Sequence, residues 1–111
     1  MTTLTSEDVV AVFKALGHPI RLEIMRQMVE VPELACTTLE ESLPISKPTI
    51  SYHMKLLSGA GLVKIRKQGR YYFYTARLDD ICQEIPGLED FVRHRLPAIS
   101  DDDYIASPAD A

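Results

Sequence analysis

The hydrophobic pattern of this chain changes its period once, at Gly61, and this change limits the folds open to it. Before Gly61, apolar residues recur every three to four positions, which is the spacing of one face of a helix. After it, residues 62–66 alternate apolar and basic side chains, residues 67–69 form a glycine-containing turn, and residues 70–75 are aromatic and β-prone. The pattern therefore predicts a mostly helical domain that carries one β-hairpin.

Two helices are predicted in the first third of the chain. Thr5 is placed to cap the first helix, with Asp8 three residues later as a capping box, and the apolar stripe runs to about Leu16. Pro19 suits the first turn of the second helix, where its missing N–H is not needed, and Pro32 ends that helix. Caps and breakers thus set the expected bounds of both helices.

Two further helices are predicted in the middle of the chain, joined by a tight turn. Residues 38–41 have the Thr-Leu-Glu-Glu capping-box signature of a short third helix that ends near Leu43. Ser46 opens a fourth helix and Pro48 is tolerated in its first turn. A last helix is predicted from Leu78, with an interruption at Pro86-Gly87.

Helix, short turn and helix followed by a basic hairpin is the order of a winged helix-turn-helix. The predicted fold class is mainly α with a β-hairpin, with about five helices and a two-stranded wing. We expect residues 1–97 to form one DNA-binding and dimerisation domain and residues 98–111 to form a flexible acidic tail.

The charge distribution indicates a polyanionic partner. The formal net charge of −4 taken alone argues mildly against nucleic acid. Residues 42–78, however, contain seven basic residues and no Asp or Glu, a formal +7, which leaves −11 for the rest of the chain. Such an asymmetry within a small domain is typical of a surface that meets nucleic acid, and it favours that explanation over a chance basic patch.

Two sets of residues are candidates for contact with double-stranded DNA. A helix in the major groove can place polar side chains on base edges, and a hairpin rich in Lys and Arg can follow the backbone or enter the minor groove. The candidates on the fourth, recognition helix are Ser46, Lys47, Thr49, Ser51, Tyr52, His53 and Lys55. The candidates on the wing are Lys64, Arg66, Lys67, Gln68 and Arg70.

Four segments resemble the ArsR/SmtB family of bacterial regulators: residues 13–22, 45–57, 59–63 and 69–74. The resemblance covers about residues 5–96. It implies a homodimeric winged-helix repressor that leaves its operator, here expected to be an inverted repeat, when an inducer binds. It also implies that the first and last helices pair between subunits, through Val9, Val12, Phe13, Ile81, Ile85, Leu88 and Val92.

The metal sites of the family are only partly matched. Metal-sensing relatives often carry a Cys-Val-Cys sequence at the start of the third helix, where this chain has Ala35 and Thr37 on either side of Cys36, so that site is absent. Other relatives bind zinc or nickel in the last helix. A reshaped site of that kind would use Asp79, Asp80, Asp90 and His94. The spacings of these residues do not match those of the relatives.

The two cysteines have two interpretations. Cys36 and Cys82 are loosely placed like the cysteine pair of thiol-sensing relatives, which implies a redox or persulfide sensor. The residues themselves favour two buried cysteines that act as small apolar side chains. The inducer is therefore open among a nickel or zinc ion, a thiol oxidant or persulfide, and another small molecule.

Other classes of protein are less compatible with the sequence. No apolar run approaches the ~20 residues needed to cross a bilayer, and the start of the chain is acidic, so we expect a cytoplasmic protein without a membrane partner. We expect no enzyme and no required cofactor, because there is no glycine-rich phosphate loop and no nucleophile and base at a recognisable spacing. The alternative function is a winged-helix protein-interaction or dimerisation module without sequence-specific DNA binding.

Overall fold

The computed structural model describes residues 4–97, apart from the side chains of Asp79, Asp80 and Cys82. The predicted acidic tail, residues 98–111, lies outside the described residues, so the domain boundary at residue 97 stays a prediction. Within residues 4–97 the elements are, in chain order, α1 (Ser6–Leu16), α2 (Pro19–Met28), β1 (Leu34–Ala35), α3 (Cys36–Ser42), α4 (Lys47–Gly59), β2 (Val63–Gln68), β3 (Tyr71–Ala76), α5 (Asp79–Glu84), α6 (Leu88–Asp90) and a π-helical turn (Phe91–Arg95).

Side-chain caps start three of the helices, as the sequence predicts for α1 and α4. The Thr5 hydroxyl accepts the Asp8 N–H at 3.1 Å, and the Asp8 carboxylate accepts the Thr5 N–H at 2.9 Å. His18 caps α2, where its Nδ1 accepts the Ile20 N–H at 3.1 Å. The Ser46 hydroxyl accepts an N–H of the first turn of α4. Each cap satisfies a backbone donor that the helix itself leaves without a partner.

The predicted start of the third helix is wrong by three residues. The helix begins at Cys36, with Ala35 as its N-cap and no side-chain cap, rather than at a capping box formed by residues 38–41. The reason is a strand that the sequence analysis does not predict. Residues 34 and 35 pair with β3 as β1, and the chain passes directly from that pairing into the helix.

The wing therefore belongs to a three-stranded sheet and not to a two-stranded one. The strand order is β1-β3-β2, and both pairings are antiparallel. The hairpin of β2 and β3 matches the prediction, and Gly69 occupies its turn with φ 62°, a conformation that favours glycine. Because β1 precedes α3, this sheet joins the first half of the helix-turn-helix to the wing.

The core lies between the helices and the inner face of the sheet. Its buried members come from α1, α2, α3, α4 and the three strands, and α5 and the π-helical turn close it through Ile81 and Val92. The predicted interruption of the last helix is confirmed, since α5 ends at Glu84 and the chain turns at Gly87 with φ 92°. None of the helices within residues 4–97 combines the length and apolar character that crossing a membrane requires.

Two glycines at the end of α4 test the backbone conformation of this segment. Gly61 has φ 81° with open space around its α-carbon, so Gly61→Ala should lower the free energy of unfolding by about 1–2 kcal/mol through backbone strain alone. Gly59, two residues earlier, is helical and also has open space around it. Gly59→Ala should leave stability unchanged or raise it by up to about 1 kcal/mol. Urea unfolding of both variants measures the difference, and equal effects would contradict the left-handed assignment.

Candidate nucleic-acid interface

One face of α4 is buried and the other is open to solvent. The helix packs against α1, α2, α3 and β2, and Ile50, Met54 and Leu57 are fully buried in these contacts. The predicted DNA-facing residues that lie on the open face are Ser46, Lys47, Ser51, Tyr52 and Lys55, and Thr49 is half-buried beside them. The structure thus brings together six of the seven predicted residues on one surface.

His53 is the exception, and its prediction as a DNA contact is corrected. Its side chain is 0% exposed and lies on the inner face of α4. The ring lies 4.8 Å from the ring of His18 and 5.7 Å from that of Tyr52, measured between centroids. His53 follows Ile50 by three positions and precedes Leu57 by four, so the helical period places it on the buried stripe.

A buried arginine ties the inner face of α4 to α1. Arg21, in α2, places Nη1 3.3 Å from Nδ1 of His53 and donates from Nε to the carbonyl of Ala15 at 2.6 Å. Arginine has no acceptor atom, so Nδ1 of His53 is the acceptor in this contact. Three helices therefore meet at one guanidinium, and this contact helps to set the direction in which the open face of α4 points.

Tyr74 lies behind Ser51 of the open face. The Tyr74 side chain is buried on the inner face of the sheet. Burial raises the pKa of its hydroxyl well above the ordinary value, a hydrogen bond with Cys36 adds to the effect, and a hydrogen bond with Ser51 opposes it. The Tyr74 hydroxyl thus lies near both Cys36 at the start of α3 and Ser51 of the recognition helix.

All five predicted wing residues are exposed. Strand alternation places Lys64, Arg66 and Gln68 on the outer face of the sheet. Arg66 lies over the ring of Phe73 at 4.4 Å from its centroid. Lys67 lies 5.7 Å from the ring of Tyr72 and Arg70 lies 5.9 Å from that of Tyr71. Three cations of the wing thus each lie beside an aromatic ring of β3.

Arg66 differs from the other wing cations because a carboxylate holds it. Glu33, next to β1, accepts from Arg66 Nε at 3.0 Å and from Nη2 at 2.8 Å. A hydrogen bond from the guanidinium lowers the pKa of the Glu33 carboxyl below its ordinary value. Arg66 is therefore ion-paired in this structure, its role as a DNA contact stays a prediction, and Glu33 is a residue of the site that sequence reasoning missed. No sequence signal pointed to it, because its position depends on the pairing of β1.

The remaining cations of the basic stretch have no such partner within the described side chains. They lie on α4, on the wing and just after β3: Lys47, Lys55, Lys64, Lys67, Arg70 and Arg77. Ion pairs elsewhere in the described part include Arg26 with Glu23 and Arg93 with Glu89. The open face of α4 and the wing are thus both basic, and together they are called the basic surface, which can bind a polyanion.

The residues predicted to respond to an inducer do not form a site in the described part of the chain. Cys36 is a free, buried thiol in the core. Asp90 and His94 are exposed, and the side chains of Asp79, Asp80 and Cys82 lie outside the described residues. Among the side chains that the structure describes, no three or more His, Cys, Asp and Glu residues are grouped so as to hold a metal ion.

The residues predicted to pair two subunits fall into two groups, and the prediction needs correction for one of them. Val12, Ile81 and Val92 are buried in the subunit's own core, so they have no surface to offer a partner. Val9, Ile85 and Leu88 are half-buried, and Phe13 is 56% exposed. On α1 and the π-helical turn, large apolar side chains that the prediction omitted are also exposed, namely Val10 at 51% and Phe91 at 43%.

Comparisons with known proteins agree with this geometry. A family model described as a helix-turn-helix domain matches residues 16–66. The chain is 38% identical over 84 residues to an uncharacterised HTH-type transcriptional regulator of Methanocaldococcus jannaschii, covering 76% of this chain and 93% of that protein. It is 35% identical over 85 residues to the arsenical resistance operon repressor of Staphylococcus aureus, covering 74% of this chain and 81% of that protein.

A solved structure shares the fold over nearly the whole described part. It is the solution structure of a homodimeric winged helix-turn-helix DNA-binding domain from Mycobacterium bovis, described as a possible ArsR-family transcriptional regulator. The two chains superpose with a TM-score of 0.59 at 22% identity, covering 87% of this chain and 100% of that chain. The fold of this chain is thus that of a known winged helix-turn-helix domain.

The corrected place of His53 leads to a stability prediction. His53→Ala should lower the free energy of unfolding by about 2 kcal/mol or more, because it leaves a cavity under α4 and removes the acceptor of Arg21. Lys55→Ala, two residues along the same helix but exposed, should change it by less than about 0.5 kcal/mol. Urea unfolding compares the two, and equally small effects would contradict the burial of His53.

Proposed function

Because the chain belongs to the ArsR/SmtB family of winged helix-turn-helix transcriptional regulators, we propose that it is a homodimeric repressor that binds an inverted-repeat DNA operator. As a regulator of this kind it acts on DNA in the cytoplasm and carries out no catalysis. The observation that carries the proposal is that the open face of α4 and the wing present five cations that no described carboxylate neutralises, with Arg77 after β3 as a sixth.

The two parts of this surface have different roles in the proposal. The open face of α4 has the short polar and hydrogen-bonding side chains that base edges in the major groove require, with Ser51 and Tyr52 at its centre. The wing presents Lys67 and Arg70 at the tip of the hairpin, where contacts to phosphate add affinity without sequence information. Sequence preference thus comes from α4, and general affinity comes from the wing.

A second subunit completes the proposal. Phe13 and Val10 lie three positions apart on α1 with most of their large apolar surface in solvent, and such surface is typical of an interface. The Mycobacterium bovis neighbour is itself described as homodimeric. A symmetric dimer would set two α4 helices roughly 34 Å apart, in successive major grooves.

An inducer is part of the proposal, and its class is a matter for experiment. A ligand releases DNA when it prefers the conformation that binds DNA poorly. The proposed classes are nickel or zinc through Asp79, Asp80, Asp90 and His94, a thiol reagent through Cys36 and Cys82, or another small molecule. Buried thiols react slowly, so the core position of Cys36 favours the first and third classes over the second.

Titration of the protein against its own upstream DNA and a scrambled duplex, by fluorescence anisotropy over a salt series, tests the proposed function. If each subunit neutralises about three or four phosphates, log affinity should fall against log salt with a slope of roughly −5 to −7. Arg70→Ala should weaken binding to both duplexes equally and reduce the slope by about two units in a dimer. The same titration with nickel, zinc and a persulfide donor tests the first two inducer classes, and release of DNA by none of them would favour another small molecule.

The matched variant for Arg70→Ala lies on the recognition helix. Ser51→Ala should reduce the preference for the operator over the scrambled duplex and leave the salt slope unchanged. If the wing variant instead removed the preference, the two roles would be interchanged. A wild-type slope near zero would overturn the proposal as a whole.

The exposed apolar surface of α1 predicts the effect of a charge there. Phe13→Glu should weaken dimerisation by about thirtyfold or more, because an unpaired carboxylate would be buried where an aromatic anchor was. Ser6→Glu adds the same charge to the exposed first turn of α1 and should have little effect. Sedimentation at several concentrations measures both. A Phe13→Glu variant that stays dimeric would place the interface elsewhere.

A further inference from the structure

The ion pair of Glu33 with Arg66 brings a negative charge into the basic surface. Residues 42–78 contain no Asp or Glu, so any carboxylate at this surface must come from another part of the chain. Glu33 comes from the segment before β1, 33 residues away from Arg66 in sequence. The pairing of Ala35 with Phe73, and of Phe73 with Arg66, brings the two side chains across the outer face of the sheet.

Glu33 occupies the part of the guanidinium that a phosphate also prefers. Its two oxygens accept from Nε and Nη2 of Arg66, at 3.0 Å and 2.8 Å. The third nitrogen, Nη1, donates to Oε1 of Gln68 at 2.8 Å, and the ring of Phe73 lies on one face. Arginine binds carboxylate and phosphate groups through the same bidentate geometry. A DNA phosphate and the Glu33 carboxylate are therefore alternative partners for one donor pair.

The ion pair lies in solvent, where DNA can compete for it. The side chains of Arg66 and Glu33 are 46% and 37% exposed. Exposed pairs of this kind are weak, so a phosphate can displace the carboxylate at a modest cost in free energy. The hydrogen bond from Arg66 keeps the pKa of Glu33 low, so the carboxylate carries its charge at the pH values at which DNA binding is measured.

We propose that Glu33 is an affinity-setting residue, which occupies Arg66 in the free protein and must be displaced before Arg66 contacts a DNA phosphate. The inference rests on the proposed DNA binding and goes beyond it, because it assigns a role to a residue outside the recognition helix and the wing. Phosphate contacts carry no sequence information, so Glu33 lowers the affinity for every duplex by the same factor.

Glu33→Gln tests this role, since it keeps the shape of the side chain and removes its charge. The variant should bind the operator and the scrambled duplex more tightly by the same factor, about two- to fivefold per subunit, as the loss of an exposed ion pair implies. Glu30→Gln is the control. Glu30 lies three residues away in the same loop, is exposed and has no described ion-pair partner, so it reports the long-range effect of one charge.

Two further variants separate displacement from long-range repulsion. In an Arg66→Gln background, Glu33→Gln should gain no more affinity than Glu30→Gln does. Thermal unfolding of each variant confirms that the fold is kept. In the free protein, the pKa of the Glu33 carboxyl, measured by NMR, should be below its ordinary value and should rise in Arg66→Gln.

Several results would overturn the inference. Equal gains from Glu33→Gln and Glu30→Gln would show a general charge effect. A loss of affinity in Glu33→Gln would show that Glu33 instead holds Arg66 in position for DNA, and an ordinary pKa for Glu33 in the wild type would show that the pair does not form in solution. A wild-type chain that binds no duplex would overturn the proposed function together with this inference, whereas binding with an unchanged Glu33→Gln would overturn this inference alone.

Discussion

The position of the recognition helix depends on the buried contacts of Arg21. The last carbonyl groups of α1 have no N–H partner within that helix. Arg21 satisfies one of them, at Ala15, and with another nitrogen it reaches His53 on the inner face of α4. A buried donor that loses its acceptor costs about 1–3 kcal/mol, so this arrangement favours one relative position of α1, α2 and α4. The residues that we propose to contact DNA, such as Ser51, take their orientation from this arrangement.

A strand of two residues has a comparable effect on the wing. β1 pairs only Leu34 and Ala35 with β3, yet it covers one edge of β3. The helix α3 follows it directly and has no side-chain cap. The same pairing places Glu33 beside Arg66. The helix-turn-helix and the wing are thus joined by backbone hydrogen bonds as well as by packing. A shift of α3 would therefore also move the hairpin.

Local signals predicted most of the fold, and the errors concern contacts between distant segments. Capping residues and the change of period at Gly61 suffice for α1, α4 and the hairpin, because they act within a few residues. The burial of His53 was also available from the helical period, but its polarity suggested an outward position. β1 is too short to show a period, and the burial of Val12 depends on which neighbours cover α1. Those features are set by tertiary packing.

The distinction between local signals and contacts of distant segments also applies to charge. The sequence counts seven cations in residues 42–78, and the fold then changes what they can do. Arg66 is bonded to a carboxylate from outside that stretch, while Arg70, four residues later, has only an aromatic ring beside it among the described side chains. Two arginines of equal formal charge therefore differ in the free energy with which each can bind a phosphate. The electrostatic strength of such a surface follows from its cations and from the carboxylates that the fold brings to them.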